Sequence, residues 1–195
     1  MKLEQLIQTR RTIRVIGVDD AHYADKTYGS QVHVAGVVCG GTRFEGMLWG
    51  SLDKDGMDAT EKITTLIKQS KFHQQLHLVL LDGITFGGCN VVDLPAMCES
   101  LQVPIVAVMR RPPDLLKFKH VVERLPESDE RWRRTVAAGE IYDVGGWTFQ
   151  CAGENSEVVG KALERLTDTG RVPEALRLAH LIGSAIKLGE SSNRA

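Results

Sequence analysis

Leu76-His77-Leu78-Val79-Leu80-Leu81-Asp82-Gly83-Ile84-Thr85-Phe86-Gly87-Gly88 sets a short apolar run against a carboxylate and a glycine-rich tract. Such a run reads as a strand buried on both faces, and a carboxylate where it opens into a flexible loop marks the carboxyl edge of a sheet, where open α/β folds bind ligands. Asp82 is therefore a candidate metal ligand, the alternative being a loop-initiating aspartate that caps nearby amides. Nearer the N-terminus, Arg14-Val15-Ile16-Gly17-Val18-Asp19 repeats the arrangement, so two strands deliver acids where their ends could converge. Asp20 follows Asp19, and alternation along a strand sends the two to opposite faces, so one of them, Asp19 by preference, is expected at a site.

Between these strands, residues 31–39 and 42–51, separated by Gly40-Gly41, read as two more strands of an antiparallel meander. A helix is expected over 58–70, with Ile63, Leu66 and Ile67 at helical spacing, then the strand to Asp82, a helix around 91–101 and a buried strand over 104–109. The order βββαβαβ predicts an α/β fold of the ribonuclease H-like kind: a mixed sheet, three antiparallel strands followed by parallel ones, covered by helices. Beyond Arg110-Arg111-Pro112-Pro113 the spacing predicts a charged helical hairpin over 115–125 and 129–138. Two short strands at 141–144 and 147–151 and two helices over 156–166 and 173–188 complete the chain. A chain of 195 residues, 43% hydrophobic, is long enough for one buried core and too short to need two, so residues 1–190 are expected to form a single domain with a disordered tail at 191–195.

A formal net charge of −1 argues against a strongly basic, non-specific nucleic-acid coat while leaving room for a local basic face. The four cysteines show no CxxC spacing and are too few for a disulfide scaffold, which predicts reduced thiols in a cytoplasmic protein. No run approaches the roughly 20 apolar residues of a membrane span.

Two divalent ions at a phosphodiester need several carboxylates to hold them. Glu61, in the first turn of the helix after the meander, is the candidate third acid. Asp58-x-x-Glu61 is also a capping-box pattern, and Asp58, Asp53 and Asp55 remain alternatives. Phe86 is either a loop anchor or a stacking surface for a base. Arg177, His180, Ser184 and Lys187 make a polar stripe on the last helix, either a solvated face or a phosphate-contacting one beside the metals. Arg110, Arg111, Lys117, Lys119 and His120 form a second basic cluster open to the same two readings.

Three segments, 14–19, 78–83 and 103–110, resemble the core of the endonuclease V superfamily. The whole chain more closely resembles a smaller, mainly archaeal branch associated with cleavage of deoxyuridine-containing DNA. The marks of that branch are Gly17-Val18-Asp19-Asp20, Gly56-Met57-Asp58-Ala59-Thr60-Glu61, Leu81-Asp82-Gly83 and Pro173-Glu174-Ala175-Leu176-Arg177-Leu178-Ala179-His180-Leu181-Ile182. The resemblance implies a Mg²⁺-dependent (or Mn²⁺-dependent) endodeoxyribonuclease in which Asp19, Asp82 and Glu61 bind metal. Arg110 then stands where the superfamily has Lys, and Phe86, Arg111, Lys117, Arg177 and His180 contact the nucleic acid. The expected partner is DNA with deaminated bases, a single strand being one candidate form, and no membrane. Two features depart from the superfamily. Residues 46–51 carry no aromatic and proline wedge, and the loop after Asp82 lacks the usual Gly-His-Gly type sequence. The rival expectations are a non-catalytic nucleic-acid-binding protein and a hydrolase of small phosphate esters.

Overall fold

The computed structural model describes residues 2–191. The chain begins with helix α1 (Leu3–Gln8), strands β1 (Arg14–Asp20), β2 (Gln31–Gly40) and β3 (Arg43–Asp53), and helix α2 (Ala59–Lys68). Strand β4 (Leu78–Asp82), the two-residue strands β5 (Thr85–Phe86) and β6 (Asn90–Val91), helix α3 (Leu94–Leu101) and strand β7 (Ile105–Met109) follow. The remainder is α4 (Leu115–Val122), α5 (Ser128–Ala137), β8 (Tyr142–Val144), β9 (Trp147–Ala152), α6 (Ser156–Arg165) and α7 (Glu174–Leu188).

Seven strands form one mixed sheet in the order β3-β2-β1-β4-β7-β9-β8. The meander pairs antiparallel, β1, β4 and β7 run parallel, and β9 returns antiparallel to β7. This is the ribonuclease H-like sheet expected from the element order. The central strands read as continuous apolar runs because helices cover both of their faces. On one face Val15, Leu78, Leu80 and Val106 pack with residues of α1, α6 and α7. On the other, Ile16, Val18, Val79, Leu81 and Ala107 pack with α2 and α3.

Three elements differ from the sequence reading. Helix α1 was not expected; its Leu3 and Leu6 seal the end of the first core. The helix expected from Val91 starts at Leu94, because Asp93 caps it by accepting from the Ala96 amide (3.0 Å) and Val91 belongs to β6. The glycine tract folds into the β5–β6 hairpin. Of the expected tail, Ser191 has no regular structure and residues 192–195 lie outside the described residues. No helix among the described residues is long and apolar enough to cross a membrane.

Candidate active site

Gly17 decides where the last helix lies. A Cβ there would stand 2.5 Å from the backbone carbon of Ala175, so only glycine lets α7 rest directly on β1. From that contact the two elements run in step. One helical turn advances about 5.4 Å, and two strand residues advance about 6.6 Å. The turn that carries Leu176 to His180 therefore matches the step from Gly17 to Asp19. Nδ1 of His180 donates to Oδ2 of Asp19 at 2.9 Å, and Asp19 is only 5% exposed.

Asp82 ends the neighbouring strand. By alternation its side chain shares the Leu80 face, the one covered by α7. Its carboxylate opens to solvent, but the protein packed behind it withholds water and Asp19 adds like charge, and together these push its pKa to about 6 against the pull of Arg110 and His180. His180 is held above the ordinary histidine value, first by its bond to Asp19 and then by the charges of Asp19 and Asp82.

Asp20 turns to the opposite face, yet it is not remote. Its Oδ2 accepts from the Gly87 amide (2.6 Å), which ties the β5–β6 hairpin to the end of β1. Burial, Asp19 and Asp82 raise its pKa to about 6 despite that bond. Three carboxylates and a histidine thus interact at one sheet edge, and Asp20 and Asp82 resist ionisation there. A hard cation would relieve that excess of negative charge. The donor set suits Mg²⁺, which keeps several waters and takes one or two protein carboxylates plus phosphate oxygens. Among the described residues, no three His, Cys, Asp or Glu side chains are gathered tightly enough to hold an ion by themselves.

The acids between β3 and α2 divide differently. Asp58 does not cap α2 in a capping box with Glu61. Its Oδ1 accepts from the Asp53 amide (3.2 Å) and from Nδ2 of Asn90 (2.7 Å). Asp55 pairs with Lys54 and accepts from the Cys89 amide (2.9 Å). Both are committed to holding the β5–β6 hairpin. Glu61 lies exposed in the first turn of α2, at the same edge of the sheet and with its carboxylate free of structural bonds among the described residues, but it is not drawn into the group around Asp19.

The basic residues also sort themselves. Arg110 is exposed at the end of β7 and acts electrostatically on both Asp82 and His180. Arg110 and Arg111 line a cavity of about 380 Å³ beside Trp147, together with Arg171, a residue the sequence reading passed over. Lys117 lines a different cavity, beneath α4. Two expectations fail. Arg177 is not a free phosphate contact, because its guanidinium is held bidentate by Glu174 (2.7 and 2.8 Å) one turn earlier on α7. Phe86 is not a stacking surface: it is 1% exposed, an anchor of the second core.

Sequence reasoning also missed Arg131. Fully buried, it donates to the carbonyls of Asp55, Gly56, Cys89 and Pro126 at 2.6–2.8 Å. Arg134 adds bonds to the carbonyls of Met57 and Val91. Helix α5 thereby clamps the loop before α2 and the hairpin that Asp20 holds from the other side.

The sheet, its strand-end acids and the last helix laid over them define an endonuclease V-like fold. An endonuclease V of Ciona intestinalis, solved with a 24mer DNA containing an inosine followed by a ribo-adenosine, superposes with a TM-score of 0.57 at 16% identity, over 96% of this chain and 94% of that one. The particular family follows from sequence: residues 11–187 match endonuclease dU, and the chain belongs to that family. A UPF0215 protein of Methanosarcina barkeri is 39% identical over 188 residues, covering 94% of this chain and 95% of its own. The crystal structure of a protein of unknown function from Archaeoglobus fulgidus superposes with a TM-score of 0.84 at 35% identity, over 89% of this chain and 98% of that one.

Proposed function

We propose that this protein is a Mg²⁺- or Mn²⁺-dependent endodeoxyribonuclease that cuts DNA carrying deaminated bases, deoxyuridine foremost. The observation that carries the reading is the convergence of Asp19, Asp82 and His180 at one sheet edge, with Arg110 beside them. Family membership supports the substrate class.

In this reading Asp19 and Asp82 hold the cation, and Glu61 supplies the third carboxylate. A divalent ion bound there provides the positive charge that activates water and neutralises a phosphate. Asp19 fixes the His180 ring through Nδ1, which leaves Nε2 to donate to a phosphate oxygen, and the raised pKa keeps more of that ring protonated near neutral pH. Arg110 steadies charge developing on the phosphate, and Arg111 and Arg171 extend the positive surface along the strand. Lys117 meets the backbone on the other side of Asp82.

The test is cleavage of an oligonucleotide with one deoxyuridine, single-stranded and in duplex, with Mg²⁺, with Mn²⁺ and with chelator. The reading expects one cut near the deoxyuridine that needs the cation, and no cut in the matching thymidine strand. Equal cleavage of both strands would sink the lesion-specific reading. Binding without cleavage under every condition would favour a nucleic-acid-binding protein, and hydrolysis of nucleotides alone a small phosphate-ester hydrolase.

A further inference from the structure

Asp82 lies level with Val108 on β7, and Val108 with Phe149 on β9, so one row of residues crosses the sheet from the strand-end acids toward β8. Neighbouring strands stand about 4.8 Å apart, which puts β9 about 10 Å from β4. That is about three nucleotide steps at the roughly 3.4 Å rise of one DNA strand, and fewer if the strand is stretched. The cavity of about 380 Å³ opens at this place, where Met109 ends β7 and Trp147 begins β9.

Four charged side chains line it: Arg110 and Arg111 after β7, Arg171 from the loop before α7, and Asp143 of β8. None of the three guanidiniums has a hydrogen bond or ion pair among the described residues. Three cations against one carboxylate leave an excess of positive charge that the fold does not neutralise, the converse of the strand-end acids beside it. The cations stand on stiff backbone. Arg111 precedes Pro112-Pro113, and a proline restricts the residue before it. Arg171 precedes Val172, which packs against the first core, and the Glu174 amide donates to the Leu166 carbonyl (2.8 Å) to close the loop.

The rest of the lining says what kind of anion fits. Trp147 is 9% exposed, too little ring for a base to stack on, so the cavity reads charge and not sequence. A second cavity, of about 440 Å³, shares Gly146, Trp147 and Arg171 with the first. There Glu157 and Glu164 offset Lys161 and Arg171, so the excess positive charge ends at Arg171.

We propose that the first cavity seats one backbone phosphate of the bound strand, outside the phosphate that is cut, with Arg111 and Arg171 as positioning residues that hold it. Arg110, which also acts on Asp82 and His180, joins that seat to the reacting centre. A phosphate fixed there sets the register of the strand, and so which bond is presented to Asp82, whatever the bases on that side.

The seat takes its ligand from the nuclease reading, and the two can fail separately. Single-stranded oligonucleotides, each with one deoxyuridine and one uncharged methylphosphonate linkage moved stepwise along both flanks, would be followed by fluorescence anisotropy with Ca²⁺ replacing Mg²⁺. Apart from the linkage that is cut, one flanking linkage should cost about tenfold in affinity when neutralised, the size of one charge-assisted hydrogen bond. Arg171→Gln should weaken binding of the all-phosphate strand by a similar factor and lower the log-log salt slope by about one unit. Neutralising the seated linkage should then cost the variant nothing more, while every other linkage costs both proteins alike, a pattern that a merely structural Arg171 would not give. Arg111→Gln should pick out the same linkage.

Losses that simply add at every linkage, or different linkages picked out by the two variants, would overturn the proposal. So would a scan of the unmodified protein with no sensitive flanking linkage, or with no binding of any strand, and that scan decides even if a variant does not fold. Cleavage at the deoxyuridine with Arg171 indifferent to every linkage leaves the nuclease reading standing and removes the seat. The single-linkage pattern without cleavage in Mg²⁺ or Mn²⁺ leaves the seat and removes the nuclease.

Discussion

Two clusters of aspartates sit at the same edge of the sheet and do opposite things. Between β3 and α2, Asp55 and Asp58 accept bonds from backbone amides and from Asn90. At the ends of β1 and β4, Asp20 and Asp82 are pushed up to about 6 by burial and mutual repulsion, and Asp19 is bound to a histidine from the far end of the chain. Residue type and sheet edge are alike in the two clusters. What separates them is the partner set: amides satisfy the first cluster, while the second is left with more negative charge than the protein neutralises.

The comparison breaks most readily through chemistry. Asp19→Asn and Asp82→Asn should each lower deoxyuridine-directed cleavage by about 1,000-fold or more, a loss on the scale of removing a charge-stabilising group from an active site. Asp82→Asn should not lower the melting temperature measured without divalent ion, since it removes a carboxylate that the fold holds under repulsion, whereas Asp19→Asn also weakens the bond to His180. Glu61→Gln should also abolish most cleavage, by about 100-fold or more, with the melting temperature unchanged, because no structural bond is lost. Retained activity would reduce the protein's ligands to the two strand-end acids.

The structural cluster should respond in reverse. Asp58→Ala leaves the buried Asn90 amide without one of its acceptors and should cost about 1–3 kcal/mol. Arg131→Met strips four carbonyls of their donor and should cost at least as much. In both variants, denaturant melts should show the loss, and cleavage per folded molecule measured well below the melting temperature should stay within about threefold.

The smallest effect concerns pH. A carboxyl whose folded pKa is raised contributes stability that is fully present below its unfolded value near 3.8 and is lost as pH rises through about 6. Without divalent ion, the melting temperature of the unmodified protein relative to Asp82→Asn should therefore fall between about pH 4 and about pH 6. Saturating Mg²⁺ should remove that fall. His77 works in the opposite sense. The Arg14 amide donates to its Nδ1 (2.9 Å) and burial lowers its pKa, so its contribution is present above the ordinary histidine value near 6.5 and is lost as pH falls through the depressed folded value. His77→Asn, with an oxygen to accept the same bond, should flatten the acid side of the profile.

The strands ending at Asp19 and Asp82 were legible because each is a short apolar run closed by a carboxylate, and the meander and α2 followed from period and turn residues. Asp20 was read correctly as facing away from Asp19, but alternation says nothing of the hairpin that reaches back to it through Gly87. That hairpin itself has two residues per strand, too few to show a period. Helix α5 looked like a solvated charged helix, and nothing local marks Arg131 as the one that buries itself under four carbonyls. Phe86 among glycines suits a loop anchor and a stacking surface equally, and only the packing of the second core separates them. The polar stripe on α7 located His180 because glycine at position 17 sets its register, whereas Arg177 on the same stripe is captured by Glu174.

The central claim is that the strand-end carboxylates, and not their neighbours in the loop, carry the chemistry. It is tested most directly by measuring Mg²⁺-dependent cleavage of one deoxyuridine-containing strand by three proteins side by side: unmodified, Asp82→Asn and Asp58→Asn. The account predicts cleavage near the deoxyuridine by the unmodified protein, near-normal cleavage by folded Asp58→Asn, and none detectable with Asp82→Asn. Cleavage that survives Asp82→Asn, or that is lost instead with a folded Asp58→Asn, would contradict it.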